Sequence, residues 1–585
     1  MKYELKNAVQ YPPITQIFIN RGFREENIVK YMNANAGDLI NPLKLDNMRE
    51  GACMLIRHLA AKDPVFIQVD PDADGFTSAA LLINYISAIF PSARNLITYR
   101  FQEGKEHGLF YDTIPEEVKL VIAPDSASNN IEVHKQLAER GVDVLVLDHH
   151  ECDEISPYAC IINNQTCDYP NKTLSGVGIV FKFCWYIDTL LGGNIEYNRA
   201  ENFIDLAALG IISDMMDLTH TETRFIVKQG LEHIKNPFFK TMVEKNAYQL
   251  GEEITPIGVA FYVTPYINAT IRSGTAEQKE LLFRSMLNED AELLIPSTKR
   301  GCKGQTETIV TQAIRNCVNV KKHQDDAKKN EMAKIEETLL QDGDLINQKI
   351  LFIQLQEKVD KNLVGLIANQ LMGKYQKPVI LMNRYEDTED GETSVRWSGS
   401  ARNVARSALE NFREFVLDSG LAQYAEGHAS AFGVSFTDKA APQFLNYANI
   451  KLQNIDFSPT YKVDFIFEGN AQIEQDILSI ASLSSYWGQG FEECLIAIKN
   501  VKVTEKNLIL MSKDKNPTLK ISLPNGVDLI KFKSSEEEYN SLLPEKGKAL
   551  YITVVGTCAK NEWCRNINAQ VLLEDYEINE IQYDF

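Results

Sequence analysis

The residues best suited to chemistry lie in four short segments, each placed at the end of an apolar run. Asp148, His149 and His150 stand together after the β-branched-rich stretch Val142–Leu147. Asp70, Asp72 and Asp74 alternate in Asp-Pro-Asp-Ala-Asp-Gly, directly after Val65–Val69. Asp125 lies between Pro124 and Ser126, and Asp214 follows the apolar segment Asn202–Ile212. An acid beside two imidazoles can hold a cation and face a substrate together. In an extended loop alternate side chains share a side, so Asp70, Asp72 and Asp74 can converge. Carboxylates that close repel strongly, which calls for a cation among them. An EF-hand calcium loop fits poorly, because no glutamate follows at its twelfth position.

The elements that must position these residues alternate between strand and helix. The pattern predicts strand Val65–Val69, helix Thr77–Phe90, strand Lys119–Ala123, helix Ile131–Arg140 and strand Val142–Leu147. Such alternation implies a doubly wound parallel sheet. Ligands bind beyond the carboxyl ends of its strands, where the acids stand. This domain is expected over residues 59–235, after an N-terminal helical extension, 1–58, whose Met48–Ala61 part should pack on it. A helical connecting region, 236–345, ends in the charged run Lys321–Asp342, which suits an exposed linker helix.

A second, smaller α/β domain is expected over 346–457, with strands Lys349–Leu355 and Pro378–Met382 and helices Gly365–Tyr375 and Val404–Ser419. Small residues surround a lone histidine in Glu426-Gly427-His428, which lets a ligand approach the backbone. From 458 to 585 short strands with turn signals between them suggest a closed β-barrel of the oligonucleotide-binding type.

The chain of 585 residues has room for roughly three or four domains. Its net charge of -20 argues against an indiscriminate nucleic-acid coat but allows a nuclease with one basic channel. The ten cysteines include no C-x-x-C pair and are read as reduced thiols. The apolar stretch Ala79–Phe90 is too short to span a bilayer, and the first residues do not read as a signal peptide, so a cytoplasmic location is expected.

Taken together, Asp-Pro-Asp-Ala-Asp-Gly at 70–75, Pro124-Asp125-Ser126, Asp148-His149-His150 and Leu209-Gly-Ile-Ile-Ser-Asp214 resemble the motifs of RecJ-type single-strand exonucleases of the DHH phosphoesterase superfamily. Arg100-Phe-Gln-Glu-Gly104, Ser175-Gly-Val-Gly178, Pro265–Arg272, Ser398–Arg402 and Gly427-His428 are similar to RecJ as well. There are departures. Glu426 replaces a glycine of the family's Gly-Gly-His, Gln68 stands where some members carry a histidine, His107-Gly108-Leu109 replaces Tyr-Gly-Leu, and Tyr486-Trp487-Gly488 replaces Pro-Phe-Gly.

The resemblance implies a 5′-to-3′ exonuclease that hydrolyses single-stranded DNA to mononucleotides in repair, recombination or replication. It implies two Mn²⁺ or Mg²⁺ ions, with Asp74, Asp125, His149 and Asp214 at one, Asp72 and Asp125 at the other, and Asp70 completing the shell. Two such ions, about 3.5–4 Å apart, clamp the attacking and leaving oxygens of an in-line displacement. His150, Arg272 and His428 would contact phosphates, and Arg100, Ser400 and Arg402 would hold a 5′-terminal phosphate. A single-strand-binding protein or a helicase is the kind of partner expected, with no membrane and a monomeric state. Two other classes share these motifs: a phosphodiesterase for short oligonucleotides or cyclic dinucleotides, and a replication scaffold. The long chain and the barrel weigh against the first, and the retained metal ligands against the second.

Overall fold

The computed structural model describes residues 1–9, 11–102, 107–192, 199–341, 343–389, 392–512, 516–563 and 566–583. Glu103, Gly104, Asp342 and Gly391, which belong to segments expected from the sequence, lie outside the described residues. The chain divides into two compact units. One comprises Arg21–Lys322 with Leu483–Glu493, the other Met1–Asn20, His323–Ser482 and Cys494–Phe585.

The first unit carries a five-stranded, wholly parallel sheet in the order Ile97–Phe101, Val65–Val69, Leu120–Pro124, Asp143–Asp148, Cys160–Asn163. Strand order reverses between Val65–Val69 and Leu120–Pro124, where a ligand crevice forms in such sheets. Asp70 and Asp125 follow directly on those two strands. Both strands are buried throughout, as their unbroken apolar runs predict.

The helices Ala73–Ile89, Gly176–Leu190 and Ile204–Ser213 are buried nearly all round and pack on one another. Helix Met48–Ala61 buries Met48, Ala52, Leu55 and Leu59, and its Gly51 lies against Leu145 and Ile162, as expected. A buried polar knot ties the preceding segment down. Glu222 accepts from Lys182 Nζ at 2.7 Å, Tyr169 Oη at 2.9 Å, Asn171 Nδ2 at 3.0 Å and the Ile40 amide at 2.9 Å. Breaking one partner of such a pair leaves a buried charge uncompensated.

In the second unit a mixed sheet runs Ala422–His428, Ala431–Thr437, Glu392–Arg402, Val379–Glu389, Leu351–Gln354. Helix Lys361–Tyr375 packs on the strands Val379–Glu389 and Glu392–Arg402. The C-terminal part is a seven-stranded mixed sheet, from Phe465–Glu468 at one edge to Leu508–Met511 at the other. It is the C-terminal β domain expected from the short strands.

Several expectations need correction. The first acidic motif is not an extended loop: helix Ala73–Ile89 begins inside it, because Asp72 caps it by accepting from the Gly75 amide at 2.9 Å. The N-terminal 58 residues are not wholly helical, since Lys2–Leu5 is a strand paired in parallel with Thr460–Val463. Helix Val404–Ser419 shrinks to Phe412–Asp418, and His428 ends a hairpin strand. Arg199–Phe203 is a 3₁₀ turn before the helix Ile204–Ser213.

Residues 483–493, expected in the barrel domain, belong to the first unit. Phe491 is fully buried, with its ring 5.9 Å from Tyr31 and 5.6 Å from Trp487. The Leu218 amide donates to Gln489 O at 2.9 Å, and Arg224 lies over the Tyr486 ring at 4.1 Å. A Cβ on Gly488 would come within 2.5 Å of Leu218. This turn therefore braces the chain just beyond Asp214. Phe491→Ala should cost the first unit about 3–5 kcal/mol, read as a lowered denaturation midpoint. Removing 458–585 should destabilise the same unit rather than spare it.

Candidate active site

The crevice is built from the backbone outward. Asp125 sits at the end of its strand with φ +66, a left-handed conformation unusual for a non-glycine residue, and its amide donates to Leu147 O at 2.8 Å. Three glycines allow the approach of the acids. A Cβ on Gly75 would lie 2.5 Å from Asp70, one on Gly176 would overlap Asp125, and one on Gly210 would overlap Asp74. Asp74, in the first turn of its own helix, also accepts from a second helix start: Ser175 Oγ at 2.9 Å and the Gly176 amide at 2.7 Å. Two helix N-termini thus favour its negative charge.

His149 is central. Its Nε2 lies 3.2 Å from Asp125 Oδ1, 3.5 Å from Asp214 Oδ2 and 4.0 Å from Asp74 Oδ2. Donor atoms of Asp74, His149 and Asp214 lie within 4.8 Å of one another, as do those of Asp70, Asp72 and Asp125. A third such group is Asp125, His149 and His150. The structure thus brings together Asp70, Asp72, Asp74, Asp125, His149, His150 and Asp214.

Asp148 behaves differently. Its Oδ1 accepts from the His149 amide at 2.7 Å, the His150 amide at 3.2 Å and His150 Nδ1 at 2.8 Å, while Oδ2 accepts from the Ser128 amide at 3.1 Å. It is an anchor that holds His150 through Nδ1. In contrast, Asp70 Oδ1 and Asp125 Oδ1 are buried and make no hydrogen bond. Buried carboxylate oxygens left open in this way fit a cation, and the mixed carboxylate–imidazole donors fit Mn²⁺ or Mg²⁺.

The electrostatics match the crowding. Burial, with repulsion from Asp72, pushes the Asp74 carboxyl up to about 7. Burial, with Asp74, pushes Asp214 up to about 8. Asp70 is pushed up to about 6 by burial, and Asp125 well above the ordinary range by burial and its acidic neighbours. Burial lowers His149 to about 4, so it is neutral and able to ligate. The hydrogen bond to Asp148 raises His150 to about 9. Burial pushes Asp148 up, but the hydrogen bond from His150 and the charges nearby hold it below the usual carboxylate range.

Of the remaining expected residues, Arg100 is penultimate in the edge strand Ile97–Phe101, and its carbonyl accepts from buried Gln68 at 2.9 Å. Arg272 is exposed in helix Thr264–Ser273, whose first residue hydrogen-bonds Ser213 at 2.9 Å. In the other unit, Ser400 and Arg402 share one face of their strand, and Gly365 lies against both. His428 and Arg402 both register with Ala431, and the His428 and Glu426 side chains are exposed. Asp148, read from the sequence as part of the acid–imidazole group, is an anchor, and the contact of His107 with Asp70 was missed.

A family model for the DHH family, N-terminal domain, matches residues 64–211, and one for the RecJ OB domain matches 469–575. Over 585 residues the chain is 34% identical to the SPbeta prophage-derived single-strand DNA-specific exonuclease YorK of Bacillus subtilis (strain 168), covering 99% of this chain and 98% of that one. The chain belongs to the RecJ-type single-strand DNA exonucleases of the DHH superfamily. RecJ of the same bacterium is 23% identical over 596 residues, covering 98% of this chain and 68% of its own. The structure of RecJ in complex with Mn²⁺ from Thermus thermophilus shares the fold, with a TM-score of 0.71, 20% identity, and coverage of 97% of this chain and 76% of that one. A RecJ-type enzyme is what the resemblance carried by the four acidic motifs had implied.

The raised carboxyls set a pH dependence. Because their folded values exceed the ordinary one of 3.8, protonation stabilises the metal-free protein at low pH, and that contribution is lost as pH rises through about 6 to 8. A cation replaces those protons. Mn²⁺ should therefore raise the melting temperature more at pH 8 than at pH 6. Calorimetry near pH 7, repeated in buffers of different ionisation enthalpy, should show proton release on binding.

Proposed function

We propose that this RecJ-type exonuclease uses two divalent ions, Mn²⁺ or Mg²⁺, and degrades single-stranded DNA from its 5′ end to mononucleotides. The observation that carries the metal reading is the pair of buried, unbonded oxygens of Asp70 and Asp125 within the acid–imidazole cluster. Asp74, His149 and Asp214 would hold one ion, Asp70 and Asp72 the other, with Asp125 shared between them. When bound, the ions supply a nucleophile at neutral pH and neutralise charge on the phosphoryl oxygens.

The protein's own groups do the rest. Neutral His149 ligates because burial keeps its proton off. His150, held through Nδ1 by Asp148, keeps its proton near neutral pH and presents its other nitrogen as a donor to the scissile phosphate. The OB domain supplies the extended track that a strand, and not a dinucleotide, requires.

Polarity rests on Arg402. It is half-buried, its acidity altered by burial alone, and among the described residues no carboxylate pairs with it. Its Nη1 donates to the Ala401 carbonyl at 2.7 Å. A desolvated guanidinium beside a serine hydroxyl suits a terminal phosphate. Losing that contact is worth roughly 1.5–3 kcal/mol, or about ten- to a hundredfold in affinity. Arg402→Ala should thus raise KM for 5′-phosphorylated strands and erase their advantage over 5′-hydroxyl strands. Label released first from the 3′ end would sink the polarity. Asp125→Ala should abolish hydrolysis and reduce the bound Mn²⁺ measured by equilibrium dialysis, with the fold retained by circular dichroism.

A further inference from the structure

His107 is a departure from the family pattern that lands inside the site. Its Nδ1 lies 2.9 Å from Asp70 Oδ2, while Asp70 is buried and its Oδ1 is left unbonded. The imidazole is 61% exposed, so neither core packing nor a second described partner accounts for its place. The chain spends specific contacts on putting it there. Gly108, at φ +88, offers its carbonyl to Gln102 Nε2, and the Leu109 amide donates to Asn130 Oδ1 at 2.8 Å. A Cβ on Gly108 would overlap that same Asn130 oxygen. Asn130 immediately precedes the helix Ile131–Glu139, in the loop that follows Asp125, so the loop carrying one acid holds the residue that contacts another.

The arrangement repeats one already seen. His150 Nδ1 meets Asp148 at 2.8 Å, and His107 Nδ1 meets Asp70 at 2.9 Å. The two pairs differ in what the acid has left. Asp148 has donors on both oxygens, whereas Asp70 has one oxygen held by the imidazole and one buried and unbonded, within a carboxylate grouped with Asp72 and Asp125. Gln68, where some relatives place a histidine, is turned away and donates to the Arg100 carbonyl.

We propose that His107 is a positioning residue of the metal centre: by donating to Asp70 Oδ2 it fixes that carboxylate so that Oδ1 faces the ion held with Asp72 and Asp125. Among the described residues its nitrogens join none of the donor groups that lie within 4.8 Å of one another, so its role is through Asp70 and not as a ligand. The inference rests on the two-ion reading. Outer partners of this kind typically govern metal affinity by about 10–100-fold.

The test is Mn²⁺ titration of the metal-free, full-length protein, followed by electron paramagnetic resonance of the free ion, for wild type, His107→Ala and His107→Asn. Asparagine places an N–H close to where Nδ1 stands and so keeps the donor without the ring. His107→Ala should weaken one of the two Mn²⁺ classes about 10–100-fold, His107→Asn should recover most of that loss, and His107→Ala should add nothing in an Asp70→Ala background. At saturating Mn²⁺, kcat and KM of His107→Ala should return close to wild type. Unchanged Mn²⁺ affinity in His107→Ala would overturn the proposal. So would equal weakening by Ala and Asn, which would make the ring a direct ligand. Wild type that binds no Mn²⁺ would instead overturn the two-ion reading itself.

Discussion

Crowded negative charge is the constraint that shapes this enzyme. Asp70, Asp72, Asp74, Asp125 and Asp214 are drawn into one crevice, and burial with mutual repulsion drives the carboxyls of Asp74, Asp125 and Asp214 upward. Folding alone would not assemble such a group, because like charges at this spacing oppose it. The surroundings offset the cost with helix N-termini at Asp74, a left-handed backbone at Asp125 and glycines where no Cβ fits. What they leave unmatched is the charge a divalent cation would bring. Local strain at such a site is typical of residues held for chemistry and not for stability.

Acids that look alike in the sequence have separate duties in space. Asp148 has donors on both oxygens and serves the orientation of the two histidines after it. Asp72 divides itself between capping a helix and facing the cluster. Asp70 and Asp125 each keep a buried oxygen open. The difference lies in how many hydrogen-bond donors each carboxylate has met, which residue type and spacing do not encode.

The parallel strands and the acids at their ends were legible because they obey local rules: apolar runs of strand length, and polar residues where a strand leaves the sheet. The seven crevice residues drawn from those motifs do meet. What escaped depended on distant partners. Lys2–Leu5 becomes a strand because Thr460–Val463 accepts it, and Phe491 joins the first unit because the distant rings of Phe23 and Tyr31 pack against it. The early start of helix Ala73–Ile89 is a different kind of miss, since the Asp72 cap lay in plain view within a motif that was read for charge alone. His107 was visible as a departure, but its hydrogen bond to Asp70 is a contact across 37 positions that no spacing announces.

The return of Leu483–Glu493 to the catalytic unit has a bearing on synthesis. Domains generally fold as they leave the ribosome, N-terminal parts first. Here the unit that holds the acids is completed by a segment made after the second α/β domain, which gives Leu218, Tyr31 and Arg224 further partners. A nascent chain therefore cannot complete its nuclease core until the second α/β domain has already emerged. The late-arriving turn ties completion of the acid-bearing unit to residues made after the second α/β domain.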